Sequence, residues 1–156
     1  MIIREAQRKD IPTIAAFQVA MARETESLDL DPEVVLAGVT AVFDGSNPAA
    51  ASGCYYVAEE PGTLTVTGCT LVLTEWSDWR NGTVWWIHSV YVLPAFRSAG
   101  VFRKIYENLK AQVEARKELR GLRLFVDITN TRAQDVYRRL GMNGDHYRLY
   151  EWMKTF

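Results

Sequence analysis

The stretch that most constrains this chain is the junction Ser89–Arg103. A run rich in β-branched and aromatic residues, Thr83–Val92, stops just short of Pro94. Proline has no N–H to give to a sheet ladder, so a strand must end there. A helical pattern follows from about Val101 to Leu119, with Ile105, Leu109 and Val113 spaced by four and charge on the other face. Gly121 breaks it, and Leu122–Ile128 reads as another strand. Strand, short loop, helix, strand is a βαβ-type unit, which commits the chain to a sheet with a helix packed on it. The loop carries Arg97, Ser98, Ala99 and Gly100. Amides at a helix start have no intrahelical partner, and the helix dipole favours anions there. Small residues let a phosphate approach the backbone, and Arg97 and Arg103 add charge-assisted donors. The junction suits a pyrophosphate-bearing ligand, or it is a plain turn with surface arginines. The motifs GxGxxG and GxxxxGK[ST] are absent, which argues against a Rossmann dinucleotide site and a P-loop.

Upstream, Ile2–Ala6 reads as a short strand. Asp10, an N-cap residue type, precedes an apolar helical pattern that fades near Thr25. Asp31-Pro32 starts a second helix, and Asp44–Gly53 is loop-like. Tyr55–Glu59 and Thr63–Glu75 read as strands either side of Pro61-Gly62. Asn81-Gly82 marks a turn into the strand at Thr83. Downstream, Ala133–Leu140 is a short helix stopped by Gly141, and His146–Met153 reads as a final strand. Hairpins at the front and a βαβ unit behind predict one mixed α/β (α+β) domain over residues 1–156.

Charge is distributed unevenly. The formal net charge is -1, yet no Lys or Arg lies between Glu24 and Asp78. That stretch holds Glu24, Glu26, Asp29, Asp31, Glu33, Asp44, Glu59, Glu60, Glu75 and Asp78, while all 18 basic residues lie outside it. Such asymmetry fits a charged ligand or a solvated surface. Cys54 and Cys69 sit in apolar strand-like runs without metal-ligand spacing, so buried thiols are expected and no metal. No apolar run approaches the ~20 residues of a membrane span, and the start lacks a signal-peptide core. A soluble cytoplasmic protein without membrane association is the expectation. Arg97–Arg123 is basic, but it is mostly one helix with acids mixed in and lacks aromatic interleaving, which disfavours nucleic acid.

The run V-x-V-x-P-x-x-R-x-x-G from Val90 to Gly100 resembles motif A of the GNAT superfamily of acetyl-CoA-dependent acetyltransferases. The run Leu124–Met142, with N-x-x-A-x-x-x-Y-x-x-x-G-(F/M), resembles its motif B. The resemblance implies a mostly antiparallel sheet with helices on both faces and a splayed strand pair at the coenzyme site. It implies that the backbone of Val90, Tyr91 and Val92 meets the pantetheine of acetyl-CoA, with the Val92 N–H facing the thioester carbonyl as an oxyanion donor. It places the pyrophosphate on Arg97, Arg103 and the amides of Ser98, Ala99, Gly100, Val101 and Phe102. Asn130 matches the family asparagine that contacts pantetheine, a role compatible with capping a helix. Tyr137 matches the tyrosine that protonates the coenzyme sulfur, two helical turns after Asn130.

Two departures stand out. Phe102 occupies a position usually small in R-x-x-G-x-(G/A). Where many relatives carry a glutamate base, this chain has His88, Ser89 and Phe125, so no base carries over; a structural role is the expectation for His88. The acceptor side in the family lies near the first helices and the middle strands, which the acidic stretch covers. Glu24 and Glu26 are the candidates for base or acceptor binding. Trp76 and Asp78 are the further candidates for binding a cationic amine through charge and cation–π contact. The expected activity is transfer of acetyl from acetyl-CoA to a primary amine of a small molecule or a protein, by direct attack. A non-catalytic acyl-CoA sensor is the alternative. A homodimer is among the compatible assemblies.

Overall fold

The computed structural model describes residues 1–154. Five strands form one sheet in the order β1-β2-β3-β4-β5: β1 Ile2–Glu5, β2 Cys54–Glu59, β3 Val66–Ser77, β4 Gly82–Val92 and β5 Leu119–Leu124. The helices are α1 Ile11–Glu26, α2 Pro32–Asp44, α3 Pro48–Ala51, α4 Val101–Ala115 and α5 Thr131–Arg139. β1 through β4 pair antiparallel. The N–H of Thr83, at the start of β4, donates to the carbonyl of Glu118, which precedes β5. α4 is therefore the crossover between these neighbouring strands, as the proline–glycine junction requires. No helix among the described residues is long and apolar enough to cross a membrane.

Side chains alternate across the sheet. On one face Tyr55, Val57, Cys69 and Tyr91 form a buried core with Ile14, Ala15 and Phe17 of α1 and Val39 of α2. On the other, Tyr56 packs its ring 6.4 Å from Trp85 and its hydroxyl bonds Gln112 of α4. Ile105 and Leu109 of α4 are fully buried. The mixed α/β architecture expected of the sequence is thus the one observed.

Several boundaries differ. The strand read at Leu122–Ile128 begins three residues earlier and ends four earlier, because α4 ends at Ala115 rather than Leu119. α3 interrupts the expected loop at Asp44–Gly53, since the Asn47 side chain accepts from the amides of Ala49 and Ala50. Asp31 caps α2 as expected, accepting from the Glu33 N–H. Asp10 does not cap α1: its carboxylate accepts from the Gln7 N–H and from the Arg4 guanidinium, which also bonds Glu59. The strand expected at His146–Met153 is not formed, because a strand needs a neighbouring edge and none of residues 125–154 pairs in a ladder. The chain divides into two compact units, Met1–Arg123 and the residues from Leu124 onward.

Candidate active site

β4 is not a regular strand. Cys69 pairs with Tyr91, but two residues further along β3, Leu71 pairs with His88. β4 therefore has one residue more than β3 at this point, a β-bulge. Ser89 absorbs it with φ of 51°, in the left-handed region, and the buried Thr70 hydroxyl donates to the His88 carbonyl at 2.7 Å. The bulge brings His88 and Tyr91 to the same face, although they are three residues apart. Strict alternation would have put them on opposite faces.

Past the bulge the ladder turns the Val92 amide outward. The Leu93 N–H donates to the Thr67 carbonyl. In an antiparallel pair such bonded positions alternate with positions whose N–H and C=O point away. Gly68 and Val92 form the latter kind of pair, so the Val92 N–H points away from β3. The close approach here needs glycine: a Cβ on Gly68 would lie 2.8 Å from the Tyr91 carbonyl oxygen.

Three side chains converge at this end of β4. The Tyr91 hydroxyl donates to Glu24 Oε1 at 3.0 Å. Arg97 donates from one terminal nitrogen to Glu24 Oε2 at 2.5 Å, and from Nε to the Val92 carbonyl at 2.9 Å. Its guanidinium lies 5.5 Å from the centre of the Tyr91 ring. Arg97 chiefly, with the Tyr91 hydroxyl, holds the Glu24 carboxyl below the usual carboxylate range against a smaller opposing effect of burial. Glu24 is thus a firm anion and a weakened base. Burial and the neighbouring carboxylate push the Tyr91 phenol up. The Arg97 guanidinium, expected on a pyrophosphate, is directed at this carboxylate.

The loop from Arg97 leads directly into α4. Ser98 and Gly100 both take left-handed backbone, φ 67° and 76°. Gly100 occupies the N-cap position, and no side chain caps the helix. Val101 is buried, which anchors the first turn.

Further along the same face lies a second polar group. Glu75 accepts from Trp86 Nε1 at 2.5 Å and from Arg123 at 2.8 Å, and Arg123 sits 5.6 Å from the Trp86 ring centre. The Trp86 ring lies 6.2 Å from that of His88. Burial lowers the His88 imidazole below its ordinary 6.5, so it is neutral at neutral pH.

The structure does not assemble all the expected acceptor residues. Trp76 pairs with Thr83 on the opposite face of the sheet from Glu75 and is exposed. Asp78 bonds the Trp79 N–H in the turn after β3. Roughly 30 Å of strand, at ~3.3 Å per residue, separates this turn from Tyr91 and Glu24. Glu26 is exposed at the end of α1. Sequence reasoning missed the Tyr91–Glu24–Arg97 link and the position of His88, whose signal was hidden by the bulge. The two thiols are raised by burial, to about 11 for Cys54 and about 12 for Cys69, so neither is a nucleophile at neutral pH.

In the second unit the Asn130 side chain accepts from the Ala133 N–H and caps α5. Gln134 donates back to the carbonyls of Asp127 and Ile128, tying the approach to the helix. Tyr137 follows on α5, and burial raises its phenol above the ordinary value, so it carries its proton at neutral pH.

Residues 20–142 match the family model described as Acetyltransferase (GNAT) family. A crystal structure described as a possible acetyltransferase from Clostridium difficile 630 is 34% identical, covers 99% of this chain and 98% of its own, and superposes with a TM-score of 0.87. The chain belongs to the GNAT family of acetyltransferases, a family that uses acetyl-CoA. A thialysine N-epsilon-acetyltransferase from Bos taurus is 34% identical over 82 residues. That match covers 53% of this chain and 47% of the bovine protein, so the chain spans about half the length of this curated relative. The structure of AAC(6')-Iy in complex with the bisubstrate analogue CoA-S-monomethyl-acetylneamine shares the fold: TM-score 0.71, 15% identity, 99% of this chain and 98% of that one.

Proposed function

We propose that this protein acetylates a cationic primary amine with acetyl-CoA, by direct attack of the amine on the thioester. The observation that carries the reading is Glu24: a carboxylate kept anionic by Arg97, on the Tyr91 side chain of the strand that presents the Val92 N–H. A fixed anion beside the acyl-transfer strand suits an ammonium acceptor. The bovine relative is named for a lysine analogue and the AAC(6')-Iy ligand carries an acetylated neamine, which supports an amine of this class. Because the family match crosses residue 123, we read both compact units as one acetyltransferase domain.

The pyrophosphate of acetyl-CoA binds the backbone of Ser98–Phe102 at the start of α4, with Arg103 nearby, and pantetheine follows Val90–Val92; Asn130 is assigned to pantetheine by the family motif it matches. The ammonium is drawn to Glu24 and must lose a proton before it can attack. Glu24 is a poor acceptor for that proton, because its pKa is depressed. His88 is the better one: its imidazole is neutral, and the bulge gives it the Tyr91 face. The free amine forms an N–C bond at the acetyl carbonyl carbon. Negative charge gathers on the carbonyl oxygen and is met by the Val92 N–H. The C–S bond then breaks as Tyr137 gives its proton to the departing thiolate, and the surplus proton shed by the newly acylated nitrogen returns Tyr137 to the phenol. Trp76 and Asp78, on the far end of the hairpin, have no part in this scheme.

Calorimetry with acetyl-CoA tests the first step, and absence of binding would end the reading. Release of free CoA over a panel of diamines, lysine analogues, aminoglycosides and neutral amines tests the second. Turnover should favour the cationic amines. Coenzyme binding without transfer to any amine would favour a sensor instead.

A further inference from the structure

A second charged pair lies on the sheet face that carries His88 and Tyr91, and acetyl transfer itself does not use it. Along β3, Leu71 pairs with His88, Leu73 with Trp86 and Glu75 with Val84. Alternate residues of a strand share a face, so His88, Trp86 and Glu75 stand on one side of the sheet. Arg123 reaches them from β5 and donates to Glu75 Oε1 at 2.8 Å. Side-chain exposures are 42% for Glu75 and 31% for Arg123. An ion pair this open adds little to folding, so a ligand can part it at little cost. Parting it does not scatter its members. Trp86 Nε1 still donates to Glu75 Oε2, and the Trp86 ring still attracts the Arg123 guanidinium.

We propose that Glu75 and Arg123 receive the head group of the acceptor, and that the acceptor is a free amino acid whose side chain ends in a primary amine. The inference rests on the reading that a cationic amine is acetylated beside His88. The α-carboxylate of such an acceptor forms paired charge-assisted bonds with Arg123, and its α-ammonium bonds Glu75. An adjacent anion and cation meet an adjacent cation and anion, so neither side is left without a counter-charge. A polyamine offers no anion to Arg123, and a lysine within a peptide offers neither head group. The spacing agrees. The Trp86 ring is 5.6 Å from the Arg123 guanidinium and 6.2 Å from the His88 ring. An extended stem of four methylenes spans roughly 6 Å. With a hydrogen bond of about 3 Å at each end, it reaches from Arg123 along Trp86 to His88. An aliphatic stem lies favourably on such an aromatic surface while both charged ends stay paired. The two carboxylates then serve the two ammonium groups of one acceptor: Glu24 the one that reacts, Glu75 the one that does not.

The test measures CoA release from acetyl-CoA with lysine, lysinamide, Nα-acetyl-lysine and 1,5-diaminopentane as acceptors. In the unaltered enzyme kcat/KM should be highest for lysine and at least about tenfold lower for each of the others, through KM rather than kcat. Arg123→Gln should bring the lysine-to-lysinamide ratio of kcat/KM down to about one or below. Glu75→Gln should do the same to the lysine-to-Nα-acetyl-lysine ratio. An ion pair with a purely structural role would leave both ratios where they were, and that result would overturn the proposal. Equal turnover of lysine and lysinamide by the unaltered enzyme would also overturn it. Should a variant fail to fold, the comparison of acceptors in the unaltered enzyme decides. Acetylation of none of these amines would overturn the amine reading as well, whereas 1,5-diaminopentane used as readily as lysine would overturn the head-group assignment alone.

Discussion

Glu24 and Arg97 are 73 residues apart in sequence, yet their side chains meet at 2.5 Å, each about 40% exposed. One belongs to the last turn of α1, the other to the loop that leads into α4. A carboxylate near a helix C-terminus sits where the helix dipole disfavours it. The Arg97 guanidinium and the Tyr91 hydroxyl compensate. Arg97 also bonds the Val92 carbonyl, so the carboxylate is tied to the backbone that would face the thioester. In the proposed reaction the pair would link the acceptor side to the coenzyme loop, and an anionic coenzyme arriving at the loop would compete with Glu24 for Arg97.

That arrangement separates the roles of Glu24 and His88. Glu24→Gln should raise KM for a cationic amine about tenfold, the equivalent of ~1.4 kcal/mol, with kcat changed little and neutral amines unaffected. His88→Gln should instead lower kcat by roughly a hundredfold, within the usual range for a proton acceptor. In the unaltered enzyme the acid limb of kcat/KM should lie below 6.5, because burial depresses the imidazole. Steady-state kinetics against pH for the three proteins settles the division. A Glu24→Gln effect on kcat alone would assign the proton to Glu24.

Tyr137→Phe should lower kcat by about ten- to a hundredfold, at or below the low end for general acids, because a thiolate leaves readily. Acetyl-CoA affinity should stay within a factor of two or so. Burial raises the phenol above its ordinary 10.0, so the protonated form persists and the alkaline limb due to Tyr137 should begin only above pH 10. Stopped-flow release of CoA and calorimetry on the variant check both parts. An unchanged kcat removes the acid assignment.

Much of this site was legible in the sequence, and the remainder was hidden for identifiable reasons. Pro94 and Gly100 located the strand–loop–helix junction, because each imposes a backbone constraint that survives any packing. Asn130 showed itself as a cap. The hydroxyl of Thr70, by contrast, stabilises a bulge that shifts the faces of β4 by one, and no periodicity reveals such a shift in advance. Trp76 and Asp78 were grouped with Glu24 by charge and aromatic composition, but composition does not report which face or end of a hairpin a residue occupies. Asp10 has a cap residue's chemistry and was claimed by Arg4 instead. The segment 146–153 reads as a strand in sequence, yet it pairs with no strand among the described residues.

Gly100→Ala tests the anion loop. Gly100 has φ of 76° with open space where a Cβ would be, so the penalty is conformational alone, about 1–2 kcal/mol for a left-handed non-glycine residue. The loop can relieve that strain only by shifting the first turn of α4. Affinity for acetyl-CoA should fall about tenfold, whereas the pantetheine fragment lacking the nucleotide should bind as before. Calorimetry with both ligands checks it. Equal loss for the two would place the phosphates elsewhere.

The buried ion cluster predicts a stability effect remote from the chemistry. Arg4 donates to Asp10 at 2.7 Å and to Glu59 at 2.6 Å, with side-chain exposures of 20%, 5% and 8%. Removing the shared cation leaves two buried carboxylates without a counter-charge, which costs about 3–5 kcal/mol. Arg4→Ala should therefore lower the urea midpoint markedly. Arg4→Met with Asp10→Asn and Glu59→Gln should restore most of the loss, since no buried charge remains. Burial alone would raise the Asp10 pKa, but the Arg4 guanidinium and the Gln7 N–H together bring it below its ordinary 3.8. A carboxyl depressed on folding contributes stability above its unfolded pKa and loses it as pH falls through the folded value. Stability of the unaltered protein should thus hold down to about pH 5 and fall steeply below about pH 4. The triple variant should lose that component of the acid dependence. Urea unfolding at a series of pH values measures both, and an acid dependence identical in the triple variant would assign it to other carboxylates.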